Sequence, residues 1–304
     1  MTRRAVLAGL LAAAACQAKA RPVTREFDAQ RAFGYLQAQL AFGPRIPNTP
    51  AHDSCGAWIL AHLKRVADTV IVQDFTVTAK SGARIRLRNY IARFRPKATD
   101  RVLYLAHWDT RPRADQEQNL GAQRLPVPGA NDGASGVALL LGVADALKAK
   151  PPAVGVDLLF DDGEDYGTFV DIDSSYSDVL MGARYYAHHL PPGPPPLMAV
   201  LFDMIGAANL RIPYEQNSQA FAPEVVDRVW RVADSLGYGG VFLREPGPNL
   251  IDDHAMLQRV GIHAIDVVDF DGYQGIWHTT QDTIDKVSAQ SLQIVGDVAV
   301  ALVR

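Results

Sequence analysis

The chain has 304 residues, of which 48% are hydrophobic, and its formal net charge is −3 at pH 7 with histidine counted as neutral. This composition is typical of a globular protein with one large domain or two small ones. Charges of both signs are scattered along the chain, without a basic block or a basic segment interleaved with aromatic residues. The composition therefore predicts neither a nucleic-acid partner nor an acidic disordered tail.

The first twenty residues differ in character from the rest of the chain. Arg3 and Arg4 precede a short apolar run over residues 5–15, which is too short to span a bilayer comfortably. The twin arginine resembles a Tat export signal. We therefore expect residues 1–20 to be a leader and residues 21–304 to form the folded protein.

Two ways of processing this leader stay open at the sequence level. Ala18-Lys19-Ala20 fits a signal-peptidase site, and cleavage there predicts a periplasmic protein. Cys16 after a run of alanines resembles a lipoprotein site, and a lipid on Cys16 predicts a membrane-anchored protein. The second cysteine, Cys55, is expected to be an inert, half-buried core thiol, so no internal disulfide framework is predicted.

Hydrophobic periodicity after the leader predicts a series of helices and strands. Two helices come first, followed by three strands with a turn at Lys80-Ser81-Gly82, and helices and strands then alternate to the end of the chain. The predicted helices cover residues 25–42, 51–66, 137–148, 181–189, 223–236, 254–260 and 288–303, and the predicted strands cover 70–77, 85–94, 102–107, 154–160, 198–202 and 262–268.

The predicted strands in the alternating part are mostly continuous apolar runs, such as Val102–Ala106 and Met198–Phe202. Such runs are typical of strands that are buried on both faces of a sheet. The sequence therefore predicts an α/β fold, a three-layer α/β/α sandwich around one mixed, mostly parallel sheet. The proline-rich segments at 151–152 and 191–196 connect helices to strands, and the alternation continues across them. Residues 21–304 are thus expected to form one domain.

Acidic and histidine side chains collect where the predicted strands end. In open α/β sheets, ligands bind beyond the carboxyl ends of the strands. Unpaired carboxylates in one place repel each other, and a bound divalent cation removes that penalty. Oxygen and imidazole ligands without cysteine suit zinc. The side chains concerned are those of His107, Asp109, Asp132, Asp161, Asp162, Glu164, Asp165, Asp203, Asp252, Asp253, Asp269, Asp271 and His278.

Six short segments occur in the order seen in zinc-dependent exopeptidases with an α/β core. The set more closely resembles the animal-type (type II) glutaminyl cyclases and their bacterial relatives, and the resemblance covers essentially all of residues 25–304. Six segments in order are quite specific, although each alone is not. They are His107-Trp108-Asp109, Gly129-Ala130-Asn131-Asp132-Gly133, Gly163-Glu164-Asp165, Leu201-Phe202-Asp203-Met204-Ile205-Gly206, Asp252-Asp253-His254 and Trp277-His278-Thr279.

The resemblance implies a zinc-dependent catalytic domain with one zinc ion per chain. Asp132, Asp165 and His278 would hold the metal, and Glu164 would be the general acid and base. The cyclases often have Glu where this chain has Asp165, which shortens that ligand while keeping its carboxylate oxygen.

The same resemblance implies a substrate and three further site residues. The enzyme would be a glutaminyl-peptide cyclotransferase, which converts an N-terminal glutamine of peptides or proteins to pyroglutamate and releases ammonia. Asp203 and Asp252 would form an acid pair that orients the reacting groups. Trp277 would form an apolar wall against the glutamine side chain.

A dinuclear zinc aminopeptidase on the same scaffold is the alternative. Its second metal would need His107 and Asp203, with Asp132 bridging the two ions, and all three residues are present. Three features favour the cyclase. They are Trp108 at the middle of its segment, the Asp252-Asp253-His254 triplet and Trp277 directly before His278. A non-catalytic relative would lack a ligand or Glu164, and every such position is filled.

Overall fold

The structure, a computed structural model, describes residues 25–169 and 177–304. Within those ranges, helices α1 to α8 span Ala29–Ala41, Pro50–Val66, Ala134–Ala149, Met181–His188, Gln216–Phe221, Pro223–Ser235, Asp253–Gln258 and Ala289–Ala301. Strands β1 to β8 span Thr69–Thr78, Arg84–Phe94, Arg101–His107, Gly155–Asp161, Met198–Asp203, Ile212–Tyr214, Phe242–Pro246 and Ala264–Val268.

Six of these strands form one mixed sheet in the order β1-β2-β4-β3-β5-β8. Strands β4, β3, β5 and β8 are parallel to one another, whereas β1 and β2 join the sheet as antiparallel strands. The predicted fold, a mixed and mostly parallel sheet between layers of helices, is confirmed.

Both faces of the central strands are buried because their side chains alternate between two apolar clusters. Tyr104 and Ala106 of β3 pack in the cluster that also contains side chains of α1, α2, α3, α6 and α8. Leu103 and Leu105 of the same strand pack on the other face, with side chains of α4 and α7. Every residue of β3, β4 and β5 is buried, which explains their predominantly apolar sequences.

Several helices begin where a side chain can accept a free backbone N–H group. Asp28 accepts the N–H of Arg31 before α1, at 3.0 Å, and Ser288 accepts that of Gln290 before α8. Thr49 caps α2, whose first residue is a proline. Each cap satisfies one of the N–H groups that lack a partner at a helix start.

The predicted elements are found with shifts of a few residues, but three short elements were not predicted. They are the strands β6 and β7, which pair with each other in a separate two-stranded sheet, and helix α5, which comes just before the predicted helix α6. Strand β6 has three residues, β7 has five and α5 has six, so none of them is long enough to show a clear hydrophobic periodicity.

The predicted leader over residues 1–20 lies outside the described residues. Among the helices that the structure does describe, none combines the length and the apolar character that crossing a membrane requires. Cys55 is fully buried in the core rather than half-buried, and burial raises the pKa of its thiol to about 11, as an inert thiol requires.

Candidate functional site

The three central parallel strands bring the candidate residues to one edge of the sheet. Strand β3 ends at His107 and strand β5 at Asp203. The loop that follows β4 carries Glu164 and Asp165, and Asp132 lies just before α3. Because parallel strands point their carboxyl ends to the same edge, residues that are far apart in the sequence meet there.

Two glycines give the loop of Asp132 its shape. Gly129 and Gly133 have φ angles of +68° and +86°, a region that residues with a side chain rarely adopt. The backbone also packs closely, because a Cβ atom at Gly133 would lie 3.0 Å from the His107 ring. Asp282 then fixes the loop by accepting the N–H groups of Asn131, at 2.8 Å, and Asp132, at 3.1 Å.

The adjacent acids Glu164 and Asp165 are held through their backbone. The fully buried carboxylate of Asp109 accepts the N–H of Glu164 at 3.1 Å and that of Asp165 at 3.2 Å. Gly163 before them has a φ angle of +75°. The backbone of this loop is therefore anchored, while the two side chains remain available for chemistry.

His278 lies opposite these acids in a strained backbone conformation. Its φ angle is +55°, which is rare for a residue with a side chain and is typical of functional sites. The Nε2 atom lies 3.2 Å from Asp165 Oδ1 and 3.8 Å from Asp132 Oδ2. Burial alone would lower the pKa of His278, but the charge of Asp165 and the carboxylate of Asp115, 3.3 Å from Nδ1, raise it to about 9. The site thus attracts a positive charge, which a metal ion can supply in place of the proton.

The three predicted metal ligands form a group that fits a zinc ion. One ligand atom each of Asp132, Asp165 and His278 can be chosen so that all lie within 4.8 Å of one another. Among the described residues, Asp132 Oδ2 and Asp165 Oδ2 are buried without a hydrogen-bond partner. Buried oxygens of this kind are costly unless they coordinate something. Two carboxylates and one imidazole are also a ligand set that zinc accepts.

A second group shares Asp132 with the first. His107 Nε2 lies 3.1 Å from Asp132 Oδ1 and 3.3 Å from Asp203 Oδ1, and the three residues also meet within 4.8 Å. This is the residue set that the dinuclear alternative requires. The geometry of the side chains therefore accommodates either one metal ion or two.

Glu164 lies on the wall of a cavity of about 220 Å³ that opens above these groups. Burial raises the pKa of its carboxyl well above its usual value, and the nearby charge of Asp252 raises it further, against the opposing effect of His107. A carboxyl that holds its proton more tightly suits a general acid and base. The residues that line the cavity are Asp132, Glu164, Phe169, Asp203, Met204, Asn249, Leu250, Ile251, Asp252, Phe270, Trp277 and His278.

The remaining predicted site residues also lie on this cavity. Asp203 and Asp252 are both in its wall, and burial together with the charge of Asp203 raises the pKa of Asp252 well above its usual value. Trp277 is half-buried and stacks on the imidazole of His278, with ring centroids 3.6 Å apart. It also meets Phe270 edge-on at 5.2 Å, so the wall on this side is aromatic.

Three charged residues that support the predicted metal ligands were missed by the reasoning from sequence. Arg111 donates to Asp165 Oδ1 at 2.5 Å, and Asp115 lies 3.3 Å from His278 Nδ1. Asp282 supports the loop of Asp132, as described above. Arg111 follows His107-Trp108-Asp109 by two residues, and that proximity was the one available signal for it. Asp115 and Asp282 have no neighbour in the sequence that points to their contacts.

Comparison with known proteins places this fold and site in a family. The model of peptidase family M28 matches residues 89–303. The chain belongs to this family. Bacillus subtilis aminopeptidase YwaD is 24% identical over 220 residues, which are 68% of this chain. The match covers 41% of that relative, so the chain spans less than half of its length.

Solved structures are more similar and cover nearly the whole chain. Bacteroides thetaiotaomicron glutaminyl cyclase is 34% identical with a TM-score of 0.86, over 91% of this chain and 97% of that one. Tannerella forsythia glutaminyl cyclase is 36% identical with a TM-score of 0.85, over 91% and 98%. A zinc-dependent exopeptidase from Parabacteroides distasonis is 34% identical with a TM-score of 0.86, over 91% and 98%. The resemblance to bacterial glutaminyl cyclases is confirmed.

Proposed function

We propose that the chain is a glutaminyl-peptide cyclotransferase, which converts an N-terminal glutamine to pyroglutamate and releases ammonia. The observation that carries this proposal is the position of Glu164. Its buried carboxyl faces the same cavity as Asp132 and His278 of the metal group and the acids Asp203 and Asp252. The similarity to several bacterial glutaminyl cyclases supports the same activity.

Asp132, Asp165 and His278 hold one zinc ion per chain in this proposal. Within the described part of the chain, Asp132 Oδ2 and Asp165 Oδ2 are buried without hydrogen-bond partners. One ligand atom of each of the three residues also lies within 4.8 Å of the others, and both observations support the assignment. Bound zinc acts as a Lewis acid toward the side-chain carbonyl of the substrate glutamine. The short side chain of Asp165 still offers the required carboxylate oxygen.

Glu164 moves the proton in the reaction. It accepts a proton from the α-amine as the amine nitrogen bonds to the carbonyl carbon of the glutamine side chain. It then donates that proton to the amide nitrogen, which leaves as ammonia. Its raised pKa supports this role, because a carboxyl whose pKa lies well above its usual value takes up and holds a proton more readily than an ordinary carboxylate.

The other cavity residues hold the substrate in a conformation that can close the ring. The amine and the carbonyl belong to one residue, so orientation rather than encounter limits the reaction. Asp203 and Asp252 orient the reacting groups and Glu164, and Trp277 packs against the glutamine side chain. The apolar side chains beside Trp277 in the cavity support this packing.

The proposal is tested by measuring ammonia release from a Gln-Ala-Phe peptide with the zinc-loaded protein. The matched control is the same peptide with an acetylated N-terminus, whose amide nitrogen cannot attack. Release from the free peptide and none from the acetylated peptide supports cyclisation. Equal release from both peptides identifies a simple amidase and contradicts the proposal.

A dinuclear aminopeptidase is the second candidate, and the group of His107, Asp132 and Asp203 favours it. YwaD, named an aminopeptidase, belongs to the matched relatives. Metal analysis of the purified protein separates the two proposals. About one zinc per chain supports the cyclase, whereas two per chain with release of free glutamine supports the peptidase.

We also propose that the protein is exported and meets its peptide substrates outside the cytoplasm. Residues 1–20 act as the leader and residues 21–304 form the single catalytic domain. Cleavage after Ala20 yields a periplasmic enzyme, and lipidation of Cys16 yields a membrane-anchored one. The mass of the protein recovered from cells decides between these forms, and an intact N-terminus in a cytoplasmic fraction contradicts export.

A further inference from the structure

A buried arginine links two of the proposed metal ligands. The side chain of Arg111 is 4% exposed, and its Nη1 atom donates to Asp165 Oδ1 at 2.5 Å. Its Nε and Nη2 atoms donate to the two carboxylate oxygens of Asp115, at 2.8 Å and 2.7 Å. Asp115 Oδ1 in turn lies 3.3 Å from His278 Nδ1. A continuous chain of charged contacts therefore runs from Asp165 through Arg111 and Asp115 to His278.

Residues 116 and 117, directly after Asp115, also form hydrogen bonds with the loop that carries His278. The N–H of Gln116 donates to the backbone oxygen of His278 at 3.2 Å. Glu117 accepts the N–H of Thr280 at 2.9 Å and its hydroxyl at 2.5 Å. These contacts hold His278 in its left-handed conformation, which an unsupported residue would avoid.

We propose that Arg111 and Asp115 are positioning residues that set the zinc affinity of the site. This inference rests on the ligand set in the proposed function. Asp115 Oδ1 lies 3.3 Å from His278 Nδ1 and favours a proton on that nitrogen, so Nε2, which faces Asp165, is the atom that would bind the metal. Such a carboxylate behind a histidine ligand fixes its tautomer and increases its basicity.

Arg111 positions the carboxylate of Asp165 in a similar way. It occupies Oδ1 and leaves Oδ2 as the oxygen of Asp165 without a hydrogen-bond partner among the described residues. The planar guanidinium reaches both carboxylates at once, which the single ammonium of a lysine cannot do with the same geometry. It also compensates part of the negative charge of the site in the absence of metal.

The test measures zinc affinity of the full mature protein, stripped of metal, by competition with a chelating dye. We expect D115A and R111M each to weaken zinc binding about 10- to 100-fold, because supporting groups of metal ligands have effects of this size. D115N keeps an acceptor for Nδ1–H and should recover part of the loss. D234N is the matched control, because it alters an exposed aspartate–arginine pair with Arg244.

The unfolding midpoint of each metal-free variant separates positioning from loss of structure. A fall in zinc affinity with an unchanged midpoint supports the proposal, whereas affinity within twofold of the original protein in both D115A and R111M overturns it. Should D115A fail to fold, D115N and R111M are judged by the same criterion. Zinc binding is measured without substrate, so a protein that binds zinc as expected but releases free glutamine overturns only the proposed function.

Discussion

Glu164 and Asp165 are neighbours in the sequence, yet their surroundings give them different roles. Asp165 is within hydrogen-bonding distance of Arg111 and His278, and these two positive partners hold its pKa below the usual value although burial opposes them. Glu164 has acids around it, and burial raises its pKa. One carboxyl is therefore suited to bind a cation and the other to carry a proton.

Replacing Glu164 with glutamine tests this division of roles. We expect E164Q to lower kcat about 10²- to 10⁴-fold, because an amide cannot transfer the proton. Zinc content should stay at the original level, since the ligand group does not include this residue. A variant that loses its zinc, measured by atomic emission, would contradict the assignment.

Replacing His278 with alanine tests the ligand group. We expect H278A to lose most of its bound zinc, because one of the three protein ligands is removed. His62 is the matched control, since it is a buried histidine that contacts Asp145 away from the cavity. Full metal content in H278A, or equal loss in H62A, would show that the group is wrongly assigned.

At the scale of elements, the loop between β3 and α3 depends on glycine. Gly129 has a left-handed conformation, and a Cβ atom there would lie 2.3 Å from Thr110 Cγ2 and 2.9 Å from Arg45 Nη2. Arg45 is fully buried and donates to the backbone oxygens of Pro128 and Gly129. The early segment of the chain therefore supports the loop of Asp132 directly.

Substitution of Gly129 by alanine should consequently lower the free energy of unfolding. We expect G129A to cost about 1–3 kcal/mol from backbone strain alone, with the close contacts adding to it. Gly34, exposed within α1 with no atom within 4 Å of an added Cβ, is the matched control. G34A should be neutral or stabilising by about 0.5–1 kcal/mol in urea unfolding. Equal effects of the two substitutions would rule out a special role for this loop.

The buried carboxylate of Glu215, at the start of helix α5, contacts His254 of helix α7. Burial raises the pKa of Glu215, but His254, whose Nε2 lies 3.3 Å from Glu215 Oε2, and hydrogen bonds from Leu250 and Ser218 outweigh it and lower the pKa to about 2. A lowered pKa stabilises the fold above the unfolded-state value of 4.5, and this stability is lost as the pH falls through about 2.

The E215Q variant should therefore differ from the original protein in its pH profile. Above pH 4.5 we expect it to be less stable by at most about 3 kcal/mol, with the difference shrinking as the solution is acidified. Urea unfolding at a series of pH values measures this difference. A difference that is the same at every pH would mean that the charge of Glu215 does not contribute.

Long elements were predictable from sequence, and short ones were not. Helices such as α2 and α8 show enough turns to reveal an apolar face, and the central strands are recognisable as continuous apolar runs. Strands β6 and β7 are stabilised by pairing with each other across almost thirty intervening residues, a long-range contact that no local pattern contains.

At the scale of the whole molecule, the sheet explains why a site could be predicted at all. Parallel strands carry their terminal residues to one edge of the sheet. A mostly parallel sheet was therefore sufficient to predict that His107, Glu164 and Asp203 lie at the same edge. The structure brings one possible ligand atom each of Asp132, Asp165 and His278 within 4.8 Å of one another, and their role as ligands stays a prediction. The supporting residues Arg111, Asp115 and Asp282 were not predictable, because their roles depend on side-chain directions in three different loops.

The most direct test of the central proposal is mass spectrometry of a Gln-Ala-Phe peptide after incubation with the zinc-loaded mature protein. Cyclisation predicts loss of one ammonia while the peptide chain stays intact, and E164Q should not produce this change. Addition of water with release of free glutamine would contradict the proposal and identify an aminopeptidase, whose second metal would then be sought at His107 and Asp203.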